Sequence, residues 1–170
     1  EQIFRHIGTR DGLFNKGKHA LALQFKAGVI SKPVHEFFNY YAGGLLGLRG
    51  YPYYSIEGRK MLVGRATYRL PIFDNMNFRL LHLHFDKLYI GMFYDYGNAF
   101  NKLEFSEFKS NYGFEFRLNL FSFYSFPTRI FFNAAYGLDE FTKKENDSKI
   151  LLDYGKEWRY YFGVTFGYFN

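Results

Sequence analysis

Two histidines stand at a spacing that lets neighbouring side chains of a strand share a metal ion. His82 and His84 alternate along the chain, so a strand would present both imidazoles on one face. A third ligand is not evident, because His6, His19 and His35 are scattered. The absence of cysteine also excludes a thiolate zinc or redox site and a disulfide framework. The two histidines are therefore interpreted as interfacial residues, and no metal site is predicted.

Motifs that would indicate catalysis are missing from the sequence. No G-x-S-x-G elbow presents a serine nucleophile. Neither a P-loop nor a G-x-G-x-x-G phosphate motif occurs. Serine, histidine and acidic residues that could cluster at one rim of a lipid-modifying barrel cannot be assembled either. We therefore expect no enzymatic activity and no cofactor.

The elements that position the polar residues alternate between two kinds of side chain. Residues 112–120 place aromatic and leucine side chains at even positions, and glycine, glutamate, arginine and asparagine at odd positions. The same period of two recurs at 20–29, 129–138 and 158–168, whereas helix-period stripes are nearly absent. The sequence therefore predicts an all-β chain.

Composition narrows the class of protein further. The 170 residues include 23 Phe, 16 Tyr and 1 Trp, so 24% of the chain is aromatic, and mean hydropathy is −0.28. The chain is too apolar for disorder, yet no run approaches the roughly 18 apolar residues of a spanning helix. A helical membrane protein is excluded. Because the chain begins at Glu1 without a leader-like segment, it is expected to be a processed product or a fragment.

The length of the alternating runs separates a membrane barrel from a soluble sandwich. Several runs reach about 10–13 residues, which a tilted strand needs to cross a bilayer, whereas sandwich strands average about five or six. Trp158, Tyr96, Tyr136 and Tyr168 would also suit the aromatic girdles at the membrane interfaces. An antiparallel transmembrane β-barrel is favoured, with the large face toward lipid and the small polar face toward the lumen.

The net charge of +6, from 22 basic and 16 acidic residues, suits either nucleic acid or an anionic lipid surface. Basic residues interleaved with aromatic residues are also found in proteins that bind single strands. However, Arg117, Arg129 and Arg159 share the small strand face. A lumen lining or a rim that meets lipopolysaccharide is the simpler interpretation, and no nucleic-acid partner is predicted.

Six segments are predicted as strands: about 18–30, 59–70, 88–98, 107–123, 127–138 and 157–169. Residues 1–17 and 77–85 are weaker candidates, and the second requires a slip in phase near Asp86 and Lys87. Pro71 and the Gly97-Asn98 pair are expected to end strands.

Two connections stand out between the predicted strands. Residues 31–58 form a long connection rich in glycine and aromatic residues, which is too long and too apolar for an ordinary loop. Residues 139–150 are highly charged and are expected to form a solvated extracellular loop.

Two short motifs point to a family. The first lies in the long connection and comprises Gly47, Leu48, Arg49, Gly50 and Tyr51. The second lies in a predicted strand and comprises Phe93, Asp95 and Gly97. Together they resemble the signature pair of the BamA-like superfamily, whose members insert barrels into the outer membrane or translocate polypeptides.

The resemblance implies a location in the bacterial outer membrane and a barrel of about sixteen strands. Residues 1–170 would be the C-terminal part of that single domain, with about 6–8 strands, and the loop at 31–58 would fold into the lumen. There Arg49 would pair with Asp95 on the wall. The implied partners are outer-membrane lipid and lipopolysaccharide, the missing N-terminal strands and periplasmic domains, and client polypeptides.

Further stretches resemble strands of the same superfamily. Residues 64–71 match one strand pattern, except that Thr67 stands where many members carry a glutamate, which puts a second acidic partner for Arg49 in doubt. Gly163, Phe166 and Tyr168 match the C-terminal β-signal that most bacterial outer-membrane barrels share.

One observation on the motifs is independent of the resemblance. Asp95 falls on the small strand face with Gly91, Phe93 and Gly97, where a shielded carboxylate would need a partner such as an arginine fork. Alternatively, the Arg-Gly-Tyr segment is an ordinary exposed turn and Asp95 is hydrated. A small free-standing barrel, porin-like or adhesive, and a lipid-modifying barrel enzyme remain the alternative functions.

Overall fold

The computed structural model describes residues 5–16, 19–32, 35–102, 104, 107–123, 125–144 and 151–167. Its strands are β1 (Arg5–Lys16), β2 (His19–Ile30), β3 (Tyr40–Tyr41), β4 (Glu57–Gly58), β5 (Lys60–Phe73), β6 (Phe78–Leu80), β7 (Leu83–Phe100), β8 (Lys109–Ser122), β9 (Phe126–Gly137), β10 (Phe141–Lys144), β11 (Leu151–Tyr154) and β12 (Trp158–Phe166). A short 3-10 helix covers Glu36–Phe38. Among the described residues, no helix is long and apolar enough to cross a bilayer.

One antiparallel sheet contains eight of these strands. Its order is β1-β2-β5-β7-β8-β9-β12, and β6 pairs with the start of β7. Each long strand pairs with the next long strand along the chain, which is the pattern of an up-and-down meander. The prediction of an all-β, antiparallel chain is confirmed, and both weaker candidate segments contain strands. In the described part of the chain, β1 and β12 form the two ends of the sheet, which is therefore open.

The alternation of side chains along β7 shifts by one residue near Asp86, where the sequence predicts such a shift. Phe85 pairs with Leu120 and Lys87 pairs with Asn119, so Asp86 is an extra residue on β7. This bulge returns Leu83 and Phe85 to the face of Leu88, because a bulge adds one residue to the alternation. His82 lies in the turn before β7, so it does not share a strand face with His84 as expected.

Two predicted strand ends are wrong, and one predicted loop contains a strand. Pro71 does not end β5, which continues to Phe73 and absorbs the proline at a register shift, where a missing N–H is tolerated. Gly97 and Asn98 do not form a turn, because both pair with β5 and β7 continues to Phe100. The segment predicted as a solvated loop contains β10, which pairs with β11 in a two-stranded hairpin.

The two faces of the large sheet differ sharply. One face carries rows of large side chains, most of them exposed and the others half-buried, that are neighbours in register across β7, β8, β9 and β12. One row, at the end near the long connection, consists of Tyr94, Tyr112, Tyr136 and Trp158. Another row consists of Ile90, Phe116, Phe132 and Phe162. This face has no covering layer among the described residues.

The opposite face is covered by the connection between β2 and β5. Residues of this connection and of the adjoining strands form the buried apolar cluster of the protein: Ile30, Tyr40, Ala42, Leu48, Tyr51, Ile56, Met61, Val63 and Ala99. Tyr40 rests on the sheet at Gly28, where a Cβ atom would lie 2.8 Å from the ring. The core therefore lies between the sheet and this folded connection, which is hereafter called the docked loop (residues 31–59).

Candidate functional site

The sheet builds a row of three polar side chains beneath the docked loop. Asp95 on β7 is paired in register with Arg65 on β5 and with Asn111 on β8. Residues directly opposite each other on adjacent strands share a face and lie about 5 Å apart at Cβ. The register of β5, β7 and β8 therefore brings a guanidinium and a carboxamide to either side of one carboxylate.

The side chain of Arg49 extends from the docked loop to the Asp95 carboxylate. Its Nε donates to Asp95 Oδ2 at 3.0 Å and its Nη2 donates to Oδ1 at 2.8 Å, which is the bidentate fork that arginine offers to carboxylates. The backbone N–H of Arg49 also donates to Oδ2, at 3.3 Å. The side chains of Arg49 and Asp95 are 3% and 0% exposed. The two motifs from the sequence thus meet in a buried ion pair.

Two sheet residues complete the shell around Asp95. Arg65 Nε donates to Oδ1 at 3.0 Å, and Asn111 Nδ2 donates to Oδ2 at 3.0 Å. Arg65 also reaches the docked loop, because its Nη2 donates to the carbonyls of Leu45 and Gly47 at 3.2 and 2.6 Å. Arg65 therefore links the Asp95 carboxylate on the sheet to the backbone of the docked loop.

Phe93 forms a platform for the guanidinium of Arg49. The Cζ atom of Arg49 lies 3.2 Å from the centroid of the Phe93 ring, in a cation–π arrangement. The ring in turn lies over Gly113, its partner in register on β8, where a Cβ atom would be 2.5 Å from Phe93 Cζ. Glycine at position 113 is therefore required for Phe93 to lie flat beneath Arg49.

The glycines of the loop motif permit close backbone approach. A Cβ atom at Gly50 would lie 2.6 Å from Asn111 Cβ and 2.7 Å from the Gly137 nitrogen. A Cβ atom at Gly47 would lie 1.9 Å from the carbonyl oxygen of Ala42. Any side chain at these positions would lift the loop tip from the sheet or distort its turn.

Leu48 and Tyr51 are fully buried, and Tyr51 ties the tip to the strand ends. Its hydroxyl donates to the carbonyl of Ser110 at 2.9 Å and accepts the N–H of Asp139 at 2.9 Å. Burial raises the pKa of the Tyr51 hydroxyl above its usual range, so the hydroxyl keeps its proton. Burial also lowers the pKa of Arg49, while the hydrogen bond and charge of Asp95 raise it.

A second carboxylate lies beside the first, although Thr67 offers none. Glu115 accepts from Arg69 Nε at 2.7 Å and pairs with Arg117 Nη2 at 3.0 Å. Its Oε2 lies 3.9 Å from Arg49 Nη1. Arg69 on β5 reaches Glu115 on β8 across the intervening β7, because the residue between them in register is Gly91.

Sequence reasoning did not connect Arg65, Asn111, Glu115 or Tyr161 with the pair of Arg49 and Asp95. The Tyr161 hydroxyl, on β12, donates to the carbonyl of Arg49 at 2.9 Å, so the loop tip also contacts the last strand of the sheet. In the sequence, these four residues could be recognised only by their position on the small strand face. Only the register between strands shows that they converge on Arg49 and Asp95.

The remaining predicted residues lie apart from this site. At Gly97, a Cβ atom would lie 2.4 Å from the Leu62 carbonyl, so the glycine lets β7 pack closely against β5. Gly163 lies under the ring of Phe131, and Phe166 is exposed on the uncovered face. The prediction for Tyr168 lies outside the described residues.

His82 and His84 both lie against aromatic rings. His82 stacks on Phe123 and His84 on Phe121. Across the part of the chain that the structure describes, no group of three or more histidine, aspartate or glutamate side chains could hold a metal ion.

The contacts of this site join the docked loop to the sheet. Its two carboxylates pair with arginines, and the hydroxyls of Tyr51 and Tyr161 donate to backbone carbonyls. Comparison with protein-family models, curated proteins and solved structures finds no match to this chain.

Proposed function

We propose that this chain is part of a BamA-like outer-membrane barrel that helps to insert polypeptides into the outer membrane or to translocate them across it. The observation that carries the proposal is the burial of Arg49, from the docked loop, against Asp95 on the sheet. The two residues belong to the two motifs that resemble the superfamily signature, and they meet on the small strand face.

The uncovered face of the sheet supports a membrane location. Tyr94, Tyr112, Tyr136 and Trp158 form an amphipathic row at one level, as the girdle of an interface requires. The 14 residues of β8 extend about 45 Å at about 3.2 Å each. With a tilt of about 45° they would rise about 32 Å, which matches a hydrocarbon core of about 30 Å.

The open sheet supports a place in a larger barrel over a complete eight-stranded one. An edge strand in hydrocarbon leaves backbone donors and acceptors without partners, and each costs several kcal/mol. β1 and β12 are the ends of the described sheet and do not pair with each other. In the proposed barrel, further strands from its missing part would therefore lie beside β1 and β12.

We infer that the buried network restricts the docked loop to two distinct states. Docking gives the buried Asp95 the two-point fork of Arg49, whereas release would leave Asp95 with Arg65 and Asn111 alone and would take Arg49 from its buried counter-ion. Intermediate positions are therefore costly, and the loop is either held inside the lumen or released as a unit. We propose that this bistable loop braces the wall during polypeptide insertion or transport.

The membrane location can be tested with single cysteines, because the chain has no native cysteine. Nitroxide labels at Tyr160, Phe162 and Val164 of the full-length protein in proteoliposomes should collide with lipid-soluble oxygen. Labels at Arg159 and Thr165, on the other face of β12, should instead collide with a water-soluble relaxation agent. Equal access of both agents to all five positions would contradict a lipid-facing surface.

The activity is tested in cells that carry only variants of the full-length protein. Arg49→Ala and Asp95→Asn should each reduce the delivery of outer-membrane and secreted polypeptides, measured by quantitative proteomics of the membrane and the medium. Arg59→Ala is the matched control, because Arg59 contacts Asn101 rather than Asp95. If variants whose docked loop is shown to be released still deliver as much polypeptide as the parent protein, the proposed role is refuted.

A further inference from the structure

The β10–β11 hairpin contacts the docked loop through the side chain of Lys143 on β10. Lys143 Nζ donates to the carbonyl of Tyr54 at 2.9 Å and to Glu57 Oε2 at 2.8 Å, and both partners belong to the docked loop. The side chains of Lys143 and Glu57 are 30% and 28% exposed, so solvent screens this ion pair only in part. The ammonium group of Lys143 therefore joins β10 to the part of the loop that returns to β5.

Phe141, two residues earlier on β10, joins the hairpin to the tip of the docked loop. Its ring packs against the buried apolar cluster, and the ring centroids of Phe141 and Tyr51 are 5.8 Å apart. The ring of Tyr154, the partner of Phe141 in register on β11, lies 5.5 Å from it, centroid to centroid. Tyr51 follows Arg49 by two residues, so Phe141 contacts the same loop tip that reaches the sheet.

The base of the hairpin is attached to the large sheet. Asp139 Oδ2 accepts from the N–H of Ser110 at 2.6 Å and from its Oγ at 2.7 Å. The N–H of Lys156 donates to the carbonyl of Gly137, the last residue of β9, at 2.9 Å. Gly155 has a φ of +107°, and a Cβ atom there would lie 2.1 Å from the carbonyl oxygen of Asp139. The hairpin is thus fixed to the sheet at its base and to the docked loop along β10.

These contacts couple the stability of the hairpin to that of the docked loop. β10 and β11 form a two-stranded sheet of four residues each, separate from the large sheet. An isolated two-stranded hairpin is marginally stable at best, so its order depends on what it packs against. By linkage, a hairpin that packs on the docked loop stabilises the docked state and is stabilised by it to the same extent. Since the base stays on the sheet, a loop that leaves the sheet must part from Phe141 and Lys143.

We propose that the β10–β11 hairpin is a latch on the docked loop, which Phe141 and Lys143 hold in place. The Arg49–Asp95 pair holds the loop tip from the side of the sheet, and the latch holds the loop from the side of the hairpin. This inference rests on the release of the docked loop in the proposed function, and it names the element that regulates that release. Displacing the hairpin would favour the released loop.

The test is hydrogen exchange of the loop amides of Ala42, Gly44 and Leu48 in the purified full-length protein in detergent. Phe141→Ala removes the ring at the loop tip and should lower their protection about fivefold or more, the lower end of typical coupling between two sites. Lys143→Met keeps the aliphatic stem and removes the ammonium group. It should lower their protection about two- to fivefold, because ion pairs with partial exposure contribute little each.

Two variants make the same chemical changes away from the docked loop. Phe126→Ala removes an exposed ring at the opposite end of β9, and Lys156→Met removes an exposed ion pair with Glu140. Both should leave the loop amides at parental protection. The amides that pair β7 with β8 should keep parental protection in all four variants, because the latch holds the loop and not the sheet.

Unchanged loop protection in both Phe141→Ala and Lys143→Met would overturn the latch. Equal losses at the loop amides and at the β7–β8 amides would also overturn it, because they would show a general loss of stability. Should Phe141→Ala fail to fold, Lys143→Met decides the question, since it changes a partly exposed side chain. The measurement needs no client polypeptide, so a latch without the proposed function would show these exchange changes while Arg49→Ala kept parental delivery in cells.

Discussion

Replacing Asp95 by asparagine removes the charge at the centre of the site and keeps its shape. Asp95 is fully buried and accepts hydrogen bonds from Arg49, Arg65 and Asn111. In Asp95→Asn, the buried guanidinium of Arg49 and the half-buried guanidinium of Arg65 lose their shared counter-ion, and the new amide would direct its NH₂ group at donors. Breaking a buried ion pair by removing one partner costs about 3–5 kcal/mol.

The lower end of that range applies here. Glu115 still lies 3.9 Å from Arg49 Nη1 and retains part of the attraction, and the asparagine oxygen can still accept from one donor. A loss of about 3 kcal/mol in loop docking corresponds to about a 100-fold change in the docking equilibrium, since about 1.4 kcal/mol is tenfold. A larger fraction of the native molecules would then have the loop released.

Hydrogen exchange of the loop amides measures this change directly. Ala42, Gly44 and Leu48 are buried, and their N–H groups donate to carbonyls of the docked loop itself, so we expect them to exchange only after the loop has left the sheet and its own hydrogen bonds have opened. We expect protection to fall about 100-fold in Asp95→Asn, because local opening sets the exchange rate. Asp153→Asn makes the same chemical change at an exposed residue that bonds Thr142, and should alter loop protection less than threefold.

Two outcomes would refute this reasoning. Unchanged protection in Asp95→Asn would mean that the apolar contacts of the loop hold it without the ion pair. Equal losses in Asp95→Asn and Asp153→Asn would mean that the effect is not specific to the site. Exchanging the charges, Arg49→Asp with Asp95→Arg, should recover only part of the protection, because the new arginine would face Arg65.

Three further predictions concern the tip, its anchor and the uncovered face. Gly50→Ala should reduce loop protection by about 1–3 kcal/mol, because its Cβ would meet the backbone of Gly137, whereas Gly64→Ala meets only ordinary contacts beyond 3.4 Å and should be tolerated. Tyr51→Phe leaves the part-buried N–H of Asp139 without its acceptor and should cost about 1–3 kcal/mol in unfolding by urea, whereas Tyr54→Phe, at an exposed ring, should cost nothing measurable. Phe162→Lys should lower the free energy of unfolding in lipid vesicles by about 2–4 kcal/mol, and equal values for Phe162→Lys and Leu151→Lys, in the β10–β11 hairpin, would contradict a lipid-facing position.

Strands and faces could be predicted from this sequence because alternation is a local property. Tyr94 and Asp95 must point to opposite faces of any strand that contains them, whatever that strand pairs with. The bulge at Asp86 could also be predicted from the sequence, since the alternation of apolar residues changes phase there. The errors at Pro71 and Gly97 have one cause: their neighbours on the partner strand continue the pairing, and that partner cannot be read locally.

The composition of the site could be predicted only in part. Arg49 and Asp95 lie in motifs, so their pairing was accessible through the resemblance. Glu115 and Asn111 are 20 and 16 positions beyond Asp95, and nothing in their own segment indicates which of its residues faces Asp95. That assignment depends on the register between β7 and β8, which the bulge itself shifts by one residue.

The docked loop can bind only to strands that have paired in the correct register. A slip of one residue between β7 and β8 would move Asn111 and Glu115 to the opposite face from Asp95. Gly113 would then no longer lie beneath Phe93, and the platform for Arg49 would be lost. The acceptor site therefore exists only after β5, β7 and β8 have paired correctly. Loop docking must follow strand pairing, and a docked loop is a sign that the wall has reached its correct register.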